Sequence, residues 1–254
     1  MEQNRQYIEE DEIDLKELWK TIVNRKKFVF IFTFIVTIGA IIWALTRTPI
    51  YEVKAFIEVG SISHNNNNNN NNNNKAIENP NNLVQRLQII YMKNIPKEQD
   101  TSITKISTVK KTINLIEITA NSISNDKATE KLNQIIDDIK SKHQIEINNY
   151  INLINTNINN LKAQKLELED KNNRFEGSLA VKYNLTTKLN ELSLQISSNN
   201  IKNTQIVGKI ITNNYPIKPK KKLIVTVAFV TGLILSIFLV FFLEFIRNDE
   251  KEGK

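Results

Sequence analysis

Residues 28–46 read FVFIFTFIVTIGAIIWALT, and residues 223–243 read LIVTVAFVTGLILSIFLVFFL. Neither stretch carries a charge. At about 1.5 Å of rise per residue, each helix reaches roughly the 30 Å of a hydrocarbon core. A helix is the one single-segment structure that satisfies its own backbone in lipid. These two blocks therefore predict two transmembrane helices, 28–46 and 223–243, and everything else is read around them. The first block is longer than the apolar core of a secretory signal, and no small-residue cleavage pattern follows it before Tyr51, so a retained anchor is expected.

Flanking charge sets the expected orientation. Arg25, Lys26 and Lys27 precede the first helix and Arg247 follows the second, which places both ends in the cytoplasm by the positive-inside rule. Lys218, Lys220, Lys221 and Lys222 run against that reading, but the first helix usually dominates topology. The expected organisation is a cytoplasmic segment 1–27, helix 28–46, a periplasmic domain 47–222, helix 223–243 and a cytoplasmic tail 244–254. In the second helix Ala228, Gly232 and Ser236 recur every fourth residue, a small-residue face on which another helix can approach closely. Ala40 and Ala44 offer a similar face in the first.

The chain of 254 residues has a net charge of +7 and no cysteine. The absence of cysteine excludes disulfides, thiolate metal sites and a cysteine nucleophile. The basic balance points to an anionic partner, with a membrane surface favoured over nucleic acid because no basic stripe interleaves with aromatics. Six scattered glycines and two histidines, His64 and His143, form no phosphate-binding loop and no metalloprotease pattern. No G-x-S-x-G elbow occurs, and Glu167, Glu169 and Asp170 lie among lysines as a solvated helix face. No enzyme activity, cofactor or metal is expected.

Between the apolar blocks, residues 51–59 (YEVKAFIEV) alternate as a half-buried strand. An unbroken asparagine run, 65–74, has nothing to bury and predicts a disordered loop. Leu83, Val84, Leu87 and Ile90 mark a short amphipathic helix within 81–92. Strands are expected at 103–109 and 112–119, the second covered on both faces. From an N-cap at Asn125 or Asp126, apolar residues recur every three or four positions from Leu132 to Leu168, with His143 and Lys165 standing in two apolar slots. This predicts one helix over 126–171, on the order of 70 Å long and too long for a small core. A break at 172–178 around Gly177 and a return helix at 178–200 would make an antiparallel hairpin. Its tip holds Asn173, Phe175, Glu176 and Gly177. A strand-like stretch 201–212 and a Pro/Lys connector 215–222 lead to the second apolar block.

The order of these features resembles the bacterial polysaccharide co-polymerases, the Wzz-type chain length determinant family. The residues that carry the resemblance are Glu12-Ile-Asp-Leu-Lys-Glu-Leu-Trp19, Arg25-Lys-Lys27 and strand 51–59. Further along come Ile116-Glu-Ile-Thr-Ala-Asn-Ser122, Asn125-Asp-Lys-Ala128 and Leu132-Asn133. Most telling is Pro216-x-x-Pro219 with Lys220, leading into a helix that contains Gly232. The chain departs from the family pattern in the asparagine run, in a missing further proline and in a short region between the helices.

The resemblance implies a membrane-anchored α+β fold: two transmembrane helices flanking a periplasmic α/β base with a long protruding helical hairpin. It implies a homo-oligomeric ring in the bacterial inner membrane, working with a Wzy-type polymerase and lipid-linked polysaccharide. That assembly would set the chain length of a surface polysaccharide such as lipopolysaccharide O-antigen, with the hairpin tip as the place where length is tuned. The alternative is an adaptor for capsule or exopolysaccharide export. The short terminal segments argue against a sensor with an output domain and against a fused tyrosine kinase.

Overall fold

In a computed structural model the described residues are 15–64, 73–93, 100–170 and 176–252. They divide into two compact units: the terminal segments up to Pro49 and from Lys218 onward, and Ile50–Ile217.

In the terminal unit, α1 (Leu15–Asn24) is separated by Arg25 from α2 (Lys26–Thr46). The second long apolar helix is α6 (Lys221–Glu252). Most side chains of α2 and α6 stay exposed, including Phe30, Phe34, Ile42, Ile234 and Phe238. A soluble protein's core helix would bury such residues, so lipid is the solvent that fits them. The helix α6 starts at Lys221, two residues earlier than charge alone marked. Lys221 and Lys222 thus belong to the helix and not to the preceding connector. It also continues nine residues past Leu243, because ionic side chains such as Glu244 and Arg247 support a helix once it leaves lipid.

The Ile50–Ile217 unit is built on β1 (Tyr51–Glu58), β2 (Ser61–His64), β3 (Asn73–Ala76), α3 (Pro80–Gln88), β4 (Thr101–Thr108), β5 (Leu115–Ser122), α4 (Asn125–Asp170), α5 (Glu176–Gln195), β6 (Ile201–Lys202), β7 (Gln205–Ile206) and β8 (Ile211–Thr212). The main antiparallel sheet runs β4-β5-β1-β7, with β8 also on β1. The β1–β5 register sets Tyr51 against Ser122 and Glu58 against Leu115. Alternation then sends Val53, Ala55, Ile57, Ile116, Ile118 and Ala120 to one face, all fully buried. Leu83 and Leu87 of α3 and Ala128, Leu132, Ile135, Ile136 and Ile139 of α4 close that face into the core.

Several expectations are corrected. The last two asparagines of the run are not loop: Asn73 and Asn74 pair with His64 and Ser63 as β3, since a backbone ladder asks nothing of the side chain. Residues 65–72 lie outside the described residues. Ile113 is not in a strand. It is 87% exposed in the turn before β5, where Lys111 takes a left-handed φ of 63°. The face of Ile116, Ile118 and Ala120 is buried in the core, and on the other face Thr119 is buried while Leu115 and Glu117 are partly buried.

The cap of α4 is Ser124, whose Oγ accepts from the Lys127 N–H at 3.2 Å. Asn125, the expected cap, is already helical and its amide donates to the Asn213 carbonyl at 2.9 Å. The helix α3 starts at Pro80, capped by Asn79, and gives way at Ile89–Lys93 to π-helical turns. The return helix ends at Gln195, not 200, because Ser197 and Asn200 close turns onto Leu194 and Ser197.

Candidate functional site

Three arrangements carry the side chains that matter: the apolar helix pair, a buried polar relay in the base and the helical hairpin.

In the pair, α2 and α6 pack antiparallel. Gly232 is buried, and a Cβ placed there would meet Val36 Cβ and Cγ1 at 3.2 Å and Thr33 Cα at 3.6 Å. The absent side chain is what lets the two backbones approach. Ser236 is fully buried. Its hydroxyl donates to the Leu233 carbonyl at 2.7 Å and accepts from Thr33 Oγ1 at 3.5 Å. Ala228 is half-buried on the same helix, and Ala44 is buried in α2. At one end of the pair, Arg25 Nη2 lies 3.1 Å from Glu244 Oε2, and Arg247 engages the other carboxylate oxygen of Glu244.

The relay is centred on His143, which is 1% exposed in the middle of α4. Its Nε2 lies 3.1 Å from Glu78 Oε2 and its Nδ1 lies 2.6 Å from Thr204 Oγ1. A carboxylate only accepts, so Nε2 carries the proton toward Glu78. In the neutral ring Nδ1 then accepts from the Thr204 hydroxyl, whose oxygen accepts the Gly60 N–H at 2.9 Å. Glu78 is held on its other side by Arg86, Nε at 3.1 Å and Nη2 at 2.6 Å. Burial alone would raise the Glu78 pKa, but the hydrogen bonds from Arg86 and His143 and their charges outweigh it and hold the carboxyl below its ordinary value. One chain of bonds thus ties α4 to α3, to the end of β1 and to the strand segment after α5. Gly60 is required here: a Cβ would meet the Lys202 carbonyl oxygen at 2.4 Å and the Thr204 nitrogen at 2.8 Å.

Beyond His143, the stripe of α4 turns from the sheet to α5. Ile154 and Ile158 pack with Leu192, joined by Tyr150, Leu161, Leu189 and Ile196. Of the expected tip, Asn173 and Phe175 lie outside the described residues. Glu176 and Gly177 begin α5, so Gly177 sits inside the helix and does not break it. A first-turn glycine has no intrahelical donor bond to lose, which makes it tolerable there. In the connector Pro216 and Pro219 are half-buried, Lys220 is exposed, and the Lys218–Pro219 peptide is cis.

The sequence marked His143 only as an odd residue in an apolar slot. Nothing local points to Glu78, Arg86, Thr204 or Gly60, which come from three separate segments. Among the described residues no cluster of His, Asp and Glu could hold a metal. A cavity of about 470 Å³ beside Lys75, Asn79, Asn81, Thr108 and Asn114 is open to solvent.

The family model described as "Wzz: Chain length determinant protein" matches residues 11–213. The chain belongs to the Wzz chain length determinant family. It is a polysaccharide co-polymerase, a regulator of chain length and not an enzyme. A solved "full-length bacterial polysaccharide co-polymerase" superposes with a TM-score of 0.50 at 13% identity, covering 94% of this chain and 99% of that one. A "Fragment of WzzB, Polysaccharide Co-polymerase from Salmonella Typhimurium" gives a TM-score of 0.41 at 14% identity, covering 67% of this chain and 100% of the fragment. No curated protein sequence matches. The full-length likeness establishes the α+β fold with its long helical region and a helix at each end, and with the family it makes this Wzz protein membrane-anchored.

Proposed function

We propose that this Wzz protein sets the chain length of a surface polysaccharide of the lipopolysaccharide O-antigen type. It does so as a homo-oligomeric scaffold in the inner membrane, beside a Wzy-type polymerase that handles lipid-linked polysaccharide. Both termini face the cytoplasm and residues 47–222 the periplasm, as the charges of Arg25, Lys26 and Lys27 favour. The observation that carries the reading is the family match, which runs from the segment before α1 through β8 and so includes the base, the hairpin and the first anchor.

The arrangement suits a scaffold. Its polar relay spends His143, Glu78 and Thr204 on the protein's own bonds. The hairpin exposes Leu153, Leu166, Leu179 and Tyr183, apolar side chains suited to a neighbouring protomer. Length is tuned at the hairpin tip, from Asn173 and Phe175 to Glu176 and Gly177. The connector of Pro216, Pro219 and Lys220 and the small face of Ala228, Gly232 and Ser236 hold the anchor.

The test is an electrophoretic ladder of surface polysaccharide from cells with and without this gene. Deletion is expected to turn a clustered long-chain distribution into a smooth, short one. Polymer that accumulates inside the cell would instead make the protein an export component, and an unchanged ladder would refute length control. Replacing residues 172–178 with an unrelated segment is expected to move the modal length. A ladder unmoved by that replacement would remove the tip from the mechanism.

A further inference from the structure

The chain has two tryptophans, Trp19 and Trp43, and both lie in the unit that holds the apolar helices. Trp43 is exposed near the end of α2, and the Arg47 guanidinium sits 4.6 Å from its ring centroid. An exposed indole with a cation at the end of an apolar span marks a membrane–water interface, where the ring rests at headgroup level and the cation reaches water. Trp19 is the counterpart at the other end. It is 68% exposed on α1, one turn ahead of Val23, which is exposed as well.

Twenty-four residues separate the two rings. Arg25 interrupts the helix between them: α2 carries Trp43 across roughly the hydrocarbon core, and α1 carries Trp19 beyond its other end. On the adjacent face of α1, Leu18 and Ile22 are half-buried, and α1 packs on α6. The antiparallel pairs Arg25–Glu244 and Thr33–Ser236 set the register. Carried two residues further, the same count matches Val23 with Ile246, beside Phe245, all three exposed. In water this would be a bare apolar collar. Around it stand the exposed cations Lys20, Lys26, Lys27 and Arg247, while Glu244 is engaged by Arg25 and Arg247. Other acidic residues lie further from the apolar spans in sequence, at Glu9, Glu10, Asp11, Glu12, Asp14 and Glu17 on one side and at Asp249, Glu250 and Glu252 on the other.

We propose that α1 is an interfacial helix joined to the membrane anchor at Arg25, not a free segment in water. Trp19, Val23, Phe245 and Ile246 seat in the boundary between acyl chains and headgroups, and Lys20, Lys26, Lys27 and Arg247 engage the phosphates of anionic lipid. The membrane-contacting surface then begins near Trp19, nine residues before the first uncharged block. The two Trp anchors fix the depth and rotation of the helix pair.

The test uses the full chain in vesicles of phosphatidylcholine with or without phosphatidylglycerol. In a Trp43→Phe protein, Trp19 is the single reporter. Its emission is expected to be blue-shifted, strongly quenched by lipids brominated high on the acyl chain and weakly quenched by aqueous iodide. Phosphatidylglycerol should deepen the quenching, and Lys20→Gln, Lys26→Gln and Lys27→Gln combined should remove that dependence. The reciprocal Trp19→Phe protein reports insertion through Trp43. A Trp19 that reads as hydrated while Trp43 reads as lipid-bound overturns the interfacial helix, and hydration at both positions overturns it too. Bromolipid quenching indifferent to phosphatidylglycerol overturns the anionic-lipid part.

Discussion

The two halves of α4 are one helix with the same stripe, yet they live in different surroundings. From Ala128 to Ile139 the stripe is buried to completion against the sheet, in one core with α3. From Ile154 to Leu161 it meets only α5 among the described residues, and large apolar side chains such as Leu153 and Leu166 stay exposed on the remaining faces. His143 and its relay stand at the junction. Periodicity says that a helix has an apolar face, and what covers that face decides how much stability it returns. The lower half is a core element. The upper half is a two-helix ribbon that other protomers can complete.

The largest effect should come from hollowing the lower half. Leu132→Ala removes a fully buried side chain and should cost about 2–5 kcal/mol, read by denaturation of the full chain in detergent. A loss under about 1 kcal/mol would mean the base is not the stable half. Gly60→Ala should follow at about 1–3 kcal/mol, because the new methyl meets backbone atoms that cannot turn aside. Ile158→Ala should cost less than Leu132→Ala. Hydrogen exchange should show protection lost in 147–168 and in α5 while β1 and β5 keep theirs. Equal loss in both halves would dissolve the contrast.

The smallest effect concerns acid. The Glu78 carboxyl is depressed in the folded protein, so the unfolded chain takes up the proton first as pH falls. Its contribution is therefore complete above the ordinary carboxyl range and is lost as pH drops through that range and below. Glu78→Gln should lower the melting temperature at neutral pH and flatten the acid limb of a melting-temperature profile. An unchanged acid limb would deny the relay its role at the junction.

Some of this was legible in the sequence. The apolar blocks identify themselves by length and lack of charge, which are local properties. The spacing from Leu132 to Leu168 announced the long helix, and the alternation from Val53 to Val59 announced the central strand. Other features were not legible. Ile113 reads as a strand residue by type but faces solvent, because the turn at Lys111 delays the strand to Leu115. Asn73 and Asn74 read as loop but form a ladder, because pairing depends on where β2 lies. Gly177 reads as a break but begins α5.

What the sequence determined by itself is whatever a helix or strand can express within a few residues: the two apolar spans, the amphipathic stripe and the core face of β1. What only the tertiary structure decided is what required distant residues to meet. Glu78, His143 and Thr204 become one relay, Gly60 becomes indispensable beside Lys202 and Thr204, and Gly232 finds Val36 and Thr33. Side-chain periodicity is set by local backbone geometry, whereas the identity of a partner is set by how the chain closes on itself over scores of residues, and no local pattern encodes that.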